Sequence, residues 1–288
     1  MTAIAILTYN RLPALQTVLG SVMTHNRVKH LAIFEDCGQQ DSTRHWLTST
    51  TTRIKRPDLM ATEHHLGSGN SIAFLGTDNL GVAGNSNRAL KWFMEETDAD
   101  HLMLCNDDIQ FLGDAGKLYR DSHMATQIEL LCFCDFTSPQ YKCIPVVHRG
   151  VQLKKLSRMT GMMMSITRKL VESIGYFDPQ FGRFGEEHCD YTVRARCAGH
   201  QSIMGIQQYC LDVNPAIPVL KHQTVNSTVQ PGEKHELDRV ASTTMREKSK
   251  RYSFTSPYLG FSLVKNRLVD SMNESGTEHD FLLGHHSI

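Results

Sequence analysis

The chain has 288 residues, 40% of them hydrophobic and 21% charged, and a formal net charge of zero. That length buries a substantial core, as one large domain or two intimate ones, and the charge balance excludes a general attraction to nucleic acid or anionic lipid. No apolar run approaches the roughly 20 residues that span a bilayer, and the N-terminus lacks a basic segment leading into an apolar one, so a cytoplasmic protein, at most peripheral to a membrane, is expected.

Ala3–Leu7 is a short apolar run that predicts a strand, followed by the polar loop Thr8-Tyr9-Asn10-Arg11. Pro13 then opens a helix in which Leu15, Val18, Leu19 and Val22 recur at helical spacing. His30–Glu35 predicts a second strand ending at Asp36-Cys37-Gly38, and Trp46 and Leu47 lie on a second predicted helix. Lys55 to Ser71, with Pro57, Gly67 and Gly69, reads as a loop. Ile72–Leu75, Ala83–Glu96 and His101–Cys105 then predict strand, helix and strand. This alternation predicts an α/β fold with a mostly parallel, doubly wound sheet.

Beyond Asp108 the pattern is less regular. Ile128–Cys134 and Met162–Ile166 predict strands, and Lys169–Ile174 a short helix stopped by Gly175. Asp190–Ala198 predicts a helix closed by Gly199, and Val219–Lys221 a strand ending at His222. From Asn226 the chain is polar, and Glu233–Tyr252 predicts a helix with Leu237, Val240 and Met245 on one side. The reading is therefore an α/β half (1–110), a second half of the same domain (111–227) and a C-terminal extension (228–288), helical in part and treated as a variable appendage. The eight cysteines lack the repeated spacing of a structural zinc site and read as buried, reduced thiols.

In an open α/β sheet, ligands bind beyond the carboxyl ends of the strands. That rule selects Thr8–Arg11, Glu35–Gly38 and Asn106–Asp108, each of which directly follows a predicted strand. Asp36 can accept a hydrogen bond from a base imide, and Arg11 can pair with phosphate. Asn79-Leu80-Gly81-Val82-Ala83-Gly84 is a glycine turn entering a helix. Its small residues admit a phosphate at the helix N-terminus, or equally form a plain turn capped by Asn85 or Ser86. Asn106-Asp107-Asp108 offers carboxylates to Mg²⁺ or Mn²⁺, with a bound diphosphate completing the oxygen shell; the alternative is a solvated turn. Glu186-Glu187-His188 precedes a helical stretch and supplies either a general base or an acidic helix cap.

Taken in order, these segments resemble the family 2-like glycosyltransferases, inverting enzymes of GT-A fold, from Ile4 to about Ser227. Asn79-Leu80-Gly81 with Asn87-Arg88-Ala89-Leu90 matches that family's Asn-x-Gly turn and following helix, and Asn106-Asp107-Asp108 looks like an Asp-x-Asp motif with Asn in the first place. Gly161-Met162-Met163, Ile174-Gly175-Tyr176-Phe177-Asp178 and Phe181 resemble the acceptor-side segment of rhamnosyltransferase-like members. The resemblance implies a nucleotide-sugar donor (UDP-, GDP- or dTDP-linked) held by Thr8, Tyr9, Asn10, Arg11, Asp36, Asn79, Gly81, Asn87 and Asp107. It implies Mn²⁺ or Mg²⁺ on Asp108, with His222 as the late histidine of the metal site. Glu187-His188-Cys189-Asp190, with Arg194 and Gly199, occupies the family's acidic base motif. Aligning on Asp190 and Arg194 makes His188 the base, and aligning on Gly185 makes it Glu187, which keeps the usual charge type.

The implied reaction transfers a sugar to an acceptor hydroxyl, on a glycan foremost, with a protein or a modified DNA base as further acceptor classes. The basic tail Arg246-Glu247-Lys248-Ser249-Lys250-Arg251-Tyr252 offers nucleic acid a contact, or is a solvated helix face. Two other readings stay open. One is a catalytically degenerate binder of sugar nucleotides or glycans; the other is a nucleotidyltransferase, for which Thr8-Tyr9-Asn10-Arg11 is a poor first loop.

Overall fold

The computed structural model describes residues 1–26, 28–39, 42–48, 53–66, 71–135, 142–207 and 210–249, together with the backbone of 261–264 and 267–270. Gly67, Gly69 and the end of the predicted helix at 250–252 lie outside the described residues. The first half runs β1 (Thr2–Thr8), α1 (Leu12–His25), β2 (His30–Glu35), α2 (Thr43–Thr48), β3 (Arg53–Arg56), β4 (Ala61–Leu66), β5 (Ser71–Gly76), α3 (Gly81–Glu96) and β6 (His101–Asn106). The second half begins β7 (Ile109–Phe111), α4 (Ala115–Thr126), β8 (Leu130–Phe133), β9 (Cys143–His148), β10 (Val151–Leu156) and β11 (Met163–Thr167). It continues α5 (Arg168–Ile174), α6 (Glu187–Cys197), β12 (Ser202–Ile203), β13 (Ile206–Gln207), β14 (Cys210–Val213), β15 (Leu220–His222) and α7 (Pro231–Ser249).

One eight-stranded sheet, in the order β3-β4-β5-β2-β1-β6-β11-β8, carries both halves. The pairs β5·β2, β2·β1 and β1·β6 are parallel, and the pairs at both margins are antiparallel. The parallel character read from the sequence therefore belongs to the four central strands. Those strands are sandwiched because their side chains alternate between two apolar layers. Ala3, Ala5 and Leu7 face Leu90, Trp92 and Phe93 of α3, while Ile4 and Ile6 face Leu15, Val18 and Val22 of α1. The C-terminal carbonyls of α3 are gathered by Arg168, which donates to Phe93 and Thr97 O at 2.9 and 2.8 Å, and a cation at a helix C-terminus suits its dipole.

The segment Lys55 to Ser71 departs from its reading as a loop, because β3 and β4 add an antiparallel hairpin to the sheet margin. Its burial hides in the sequence: the successive residues Glu63 and His64 are both buried, and Arg56 holds Glu63 at 2.8 Å. Helix α4 and the small sheet β14-β10-β9 are tied together by buried charge. Lys154 on β10 is buried because it pairs with Asp212 on β14 at 2.8 Å, and Tyr119 of α4 donates to the same carboxylate at 2.6 Å. All eight cysteines are free thiols. Among the described residues no helix is long and apolar enough to cross a membrane.

Candidate active site

Parallel pairing brings the ends of β1, β2 and β6 to one rim: Thr8 stands beside Glu35 and Leu7 beside Asn106. A cleft of about 220 Å³ opens there, walled by Tyr9, Arg11 and Asp108 on one side and by Arg183, Phe184 and Leu237 on the other.

The two aspartates after β6 have different jobs. Asp107 is 3% exposed; it accepts from Thr8 Oγ1 at 2.8 Å and from Arg11 Nη1 at 2.9 Å. Burial pushes its carboxyl up to about 6, against the pull of Arg11. Both of its oxygens are engaged, so Asp107 aims Arg11. Asp108 turns the other way. Its Oδ2 lies 3.4 Å from Arg11 Nη1 and 3.6 Å from His222 Nε2. The pairing of β15 with β7 sets His222 beside Ile109, and Gln223 N–H donates to the Asp108 carbonyl at 2.7 Å. The neighbouring Asp108 carboxylate is the main cause raising the His222 pKa. Asp108 Oδ1 is buried with no hydrogen-bond partner among the described residues.

That orphaned oxygen is the feature that fits a divalent cation, since an anionic oxygen without a donor is costly to bury. No group of three or more His, Cys, Asp or Glu side chains able to hold a metal occurs among the described residues. Asp108 and His222 therefore suffice only where a ligand such as a diphosphate brings further oxygens, a mode that Mg²⁺ and Mn²⁺ accept.

The glycine turn behaves differently from the phosphate cradle its sequence suggests. Asp36 accepts from the N–H groups of Leu80 and Gly81 at 2.9 and 2.8 Å, and Val82 N–H donates to the Arg183 carbonyl at 3.0 Å. Three donors at the start of α3 are thus spent inside the protein, and the anion at this N-terminus is a carboxylate of the chain itself. Asp36 also accepts from Arg88 Nη1 at 2.8 Å. Burial raises its pKa while Arg88 holds it down. It lines the cleft wall, yet both of its oxygens are committed inward. Asn79 Oδ1 accepts from Gly81 N–H at 3.1 Å and shapes the turn.

Two further candidates are interior. Asn87 is fully buried, exchanging hydrogen bonds with the Phe177 backbone at 2.8 Å in each direction, so it ties α3 to the segment around Phe177. Asp190 is fully buried, with Arg194 Nε and Lys248 Nζ each 2.8 Å away, so it holds α6 in place. Asn10 adopts a left-handed backbone (φ +54°) that Asn tolerates, and its side chain packs over Gly38. Arg88, named in the sequence only as part of the helix motif, has a role that reading did not assign: it is fully buried and donates also to the carbonyls of Leu59, Met60 and Asp78.

The choice between Glu187 and His188 becomes a pair. Glu187 Oε1 is 3.2 Å from His188 Nδ1, and Glu187 Oε2 is buried without a partner among the described residues. Burial drives both toward neutrality, but each favours the charge of the other, so Glu187 is lowered and His188 raised. The His188 side chain is 24% exposed against 8% for Glu187, so the imidazole is the member that presents surface. The pair reaches the Asn106-Asp107-Asp108 loop through one neighbour. A β-carbon on Gly161 would fall 2.9 Å from His188 Cγ, and the Gly161 carbonyl accepts from Asn106 Nδ2 at 3.4 Å.

No family model matches the sequence, and no curated protein matches it. Solved structures do match. GalNAc-T7 with UDP, GalNAc and Mn²⁺ superposes with a TM-score of 0.51 at 12% identity over 74% of this chain and 42% of its own. S. aureus TarS 1-349 with UDP matches at 0.47 and 13% over 84% and 64%. The mannosyltransferase PcManGT from Pyrobaculum calidifontis, with GDP-Man and Mn²⁺, matches at 0.45 and 12% over 73% and 54%. The chain spans less than two thirds of the length of each of these. At such identities the likeness is one of fold: the chain has the α/β architecture of GT-A glycosyltransferases.

Proposed function

We propose that the chain is an inverting glycosyltransferase, family 2-like and rhamnosyltransferase-like in its acceptor side, that takes a sugar from a nucleotide-diphosphate donor and passes it to an acceptor hydroxyl, a glycan first among acceptor classes. The observation that carries this reading is Asp108 Oδ1, orphaned at the rim where three parallel strands end. The same motif joins the Glu187–His188 pair through Asn106 and Gly161.

In this reading the donor diphosphate lies along the rim. Arg11, aimed by Asp107, neutralises part of its charge. Asp108 and His222 would hold Mn²⁺ or Mg²⁺, which when bound stabilises the negative charge gathering on the leaving diphosphate. The Glu187–His188 pair takes the acceptor proton: His188 presents the imidazole and Glu187 fixes its Nδ1, which orients the ring and stabilises its charged form. The acceptor oxygen then attacks the anomeric carbon opposite the departing diphosphate, inverting that centre.

A thermal-shift panel of UDP-, GDP-, dTDP- and CMP-sugars with and without Mn²⁺, followed by donor hydrolysis and transfer assays, tests it. One nucleotide class should stabilise the protein in a Mn²⁺-dependent way. Stabilisation by none of them contradicts the proposal.

A further inference from the structure

We propose that helix α7 is a working part of the active site and that Lys248 is a positioning residue for the proton-accepting pair; this rests on the function proposed above. The inward stripe of α7 runs from Leu237 through Ala241, Thr244 and Met245 to Lys248, and it lies over the segment that delivers Glu187. Three contacts fasten it there. Arg183 Nη1 meets Glu233 Oε1 at 2.8 Å. Gly185, at φ +102°, leaves so little room that an added β-carbon would sit 3.1 Å from Ala241 Cβ. At the far end the Lys248 ammonium enters between two buried carboxylates, pairing with Asp178 and lying 2.8 Å from Asp190 Oδ1.

Those carboxylates belong to the scaffold of the base. Asp178 is 1% exposed, and its other oxygen caps the turn Pro179–Phe181 by accepting from Gln180 N–H at 2.8 Å. Asp190 stands in the first turn of α6, one turn after Glu187, with its other oxygen on Arg194. Arg194 in turn donates to the carbonyls of Ile174 and Tyr176 at 2.6 and 2.7 Å. Two carboxylates, Arg194 and Lys248 thus close the charge count, and Lys248 alone of these four comes from α7. Without its charge, Asp178 and Asp190 repel across the segment that contains Glu186, itself left-handed at φ +64°, and an uncompensated buried carboxylate is strongly destabilising. Lys248 of the basic tail therefore faces the protein and not a phosphate backbone.

Three full-length variants decide this: Lys248→Met, Lys248→Arg and the double variant Asp178→Asn/Lys248→Met, which restores charge balance. Amide exchange over residues 178–190 and donor hydrolysis are measured on each, with the nucleotide sugar that the thermal-shift panel identifies. Lys248→Met should raise exchange about tenfold and lower kcat about tenfold, with donor KM within about twofold of wild type. Lys248→Arg and the double variant should recover both readouts. A double variant as impaired as Lys248→Met, or Lys248→Met indistinguishable from wild type, overturns the proposal, as does a change confined to KM. If Lys248→Met fails to fold, the double variant must fold with protected amides, and its failure to do so also overturns it. If wild type hydrolyses no donor, the functional reading falls while the exchange comparison still decides the clamp.

Discussion

The α-carbon of Gly81 lies directly against the backbone of Arg183, so that a β-carbon at Gly81 would fall 2.2 Å from Arg183 Cα. The close approach that this glycine permits is by the chain itself. Here the first turn of α3 touches the segment leading to Glu187, and the two walls of the cleft are set relative to each other.

Gly81→Ala should therefore be costly twice over. It forces an L side chain to φ +72° and pushes Arg183 away, for a combined loss of about 2 kcal/mol or more. Urea unfolding measures the loss, and under the proposed function turnover should fall more than nucleotide affinity, because the displaced segment leads to the Glu187–His188 pair. A variant of wild-type stability would contradict this account of the turn.

Arg88 is fully buried against Asp36. Arg88→Met should destabilise by about 3–5 kcal/mol, the cost of leaving a buried charge unpaired. Adding Asp36→Asn to Arg88→Met should recover part of that loss, because the stranded carboxylate disappears. Denaturant midpoints of the two variants check the order.

The histidines His101 and His123 are buried with ring centroids 5.5 Å apart. Burial, and for His101 the neighbouring His123, lower their pKa values from the usual 6.5 to about 3 and about 4. The unfolded chain thus binds protons more readily than the native one below pH 6.5. Their stabilising contribution is complete above that value and drains away as pH falls toward 4 and then 3. His101→Phe should flatten this acid limb in a pH series of melting temperatures, and an unchanged limb would contradict it.

Glu187 and His188 should behave as one unit. Glu187→Gln and His188→Ala should each cut transfer by about 10²-fold, and the double variant should fall little below the worse single one. Fully additive losses would mean that the two residues act separately. Nucleotide affinity should stay near wild type in all three.

Much of the architecture was legible because the central strands are apolar on both faces and their helices carry apolar stripes. Ala3–Leu7 and Leu90–Phe93 announce themselves in this way. The motif order likewise brought Arg11, Asp108 and His222 to one place. What stayed hidden depends on partners remote in sequence. Lys154 reads as a surface residue until Asp212 is beside it, and nothing near Asp36 in sequence announces its bonds to Arg88 and to the α3 amides. The stripe of α7 was partly legible: Leu237 and Met245 are half-buried as read, but Val240 is exposed and the fully buried position is Ala241. Small and cationic residues facing inward leave no hydrophobic period to read.

Calorimetric titration of UDP and of GDP, with and without Mn²⁺, into wild type and Asp108→Ala tests the central claim most directly. The account predicts Mn²⁺-dependent binding of one nucleotide by wild type and loss of that dependence in Asp108→Ala. Equal, Mn²⁺-dependent binding by both proteins would contradict it.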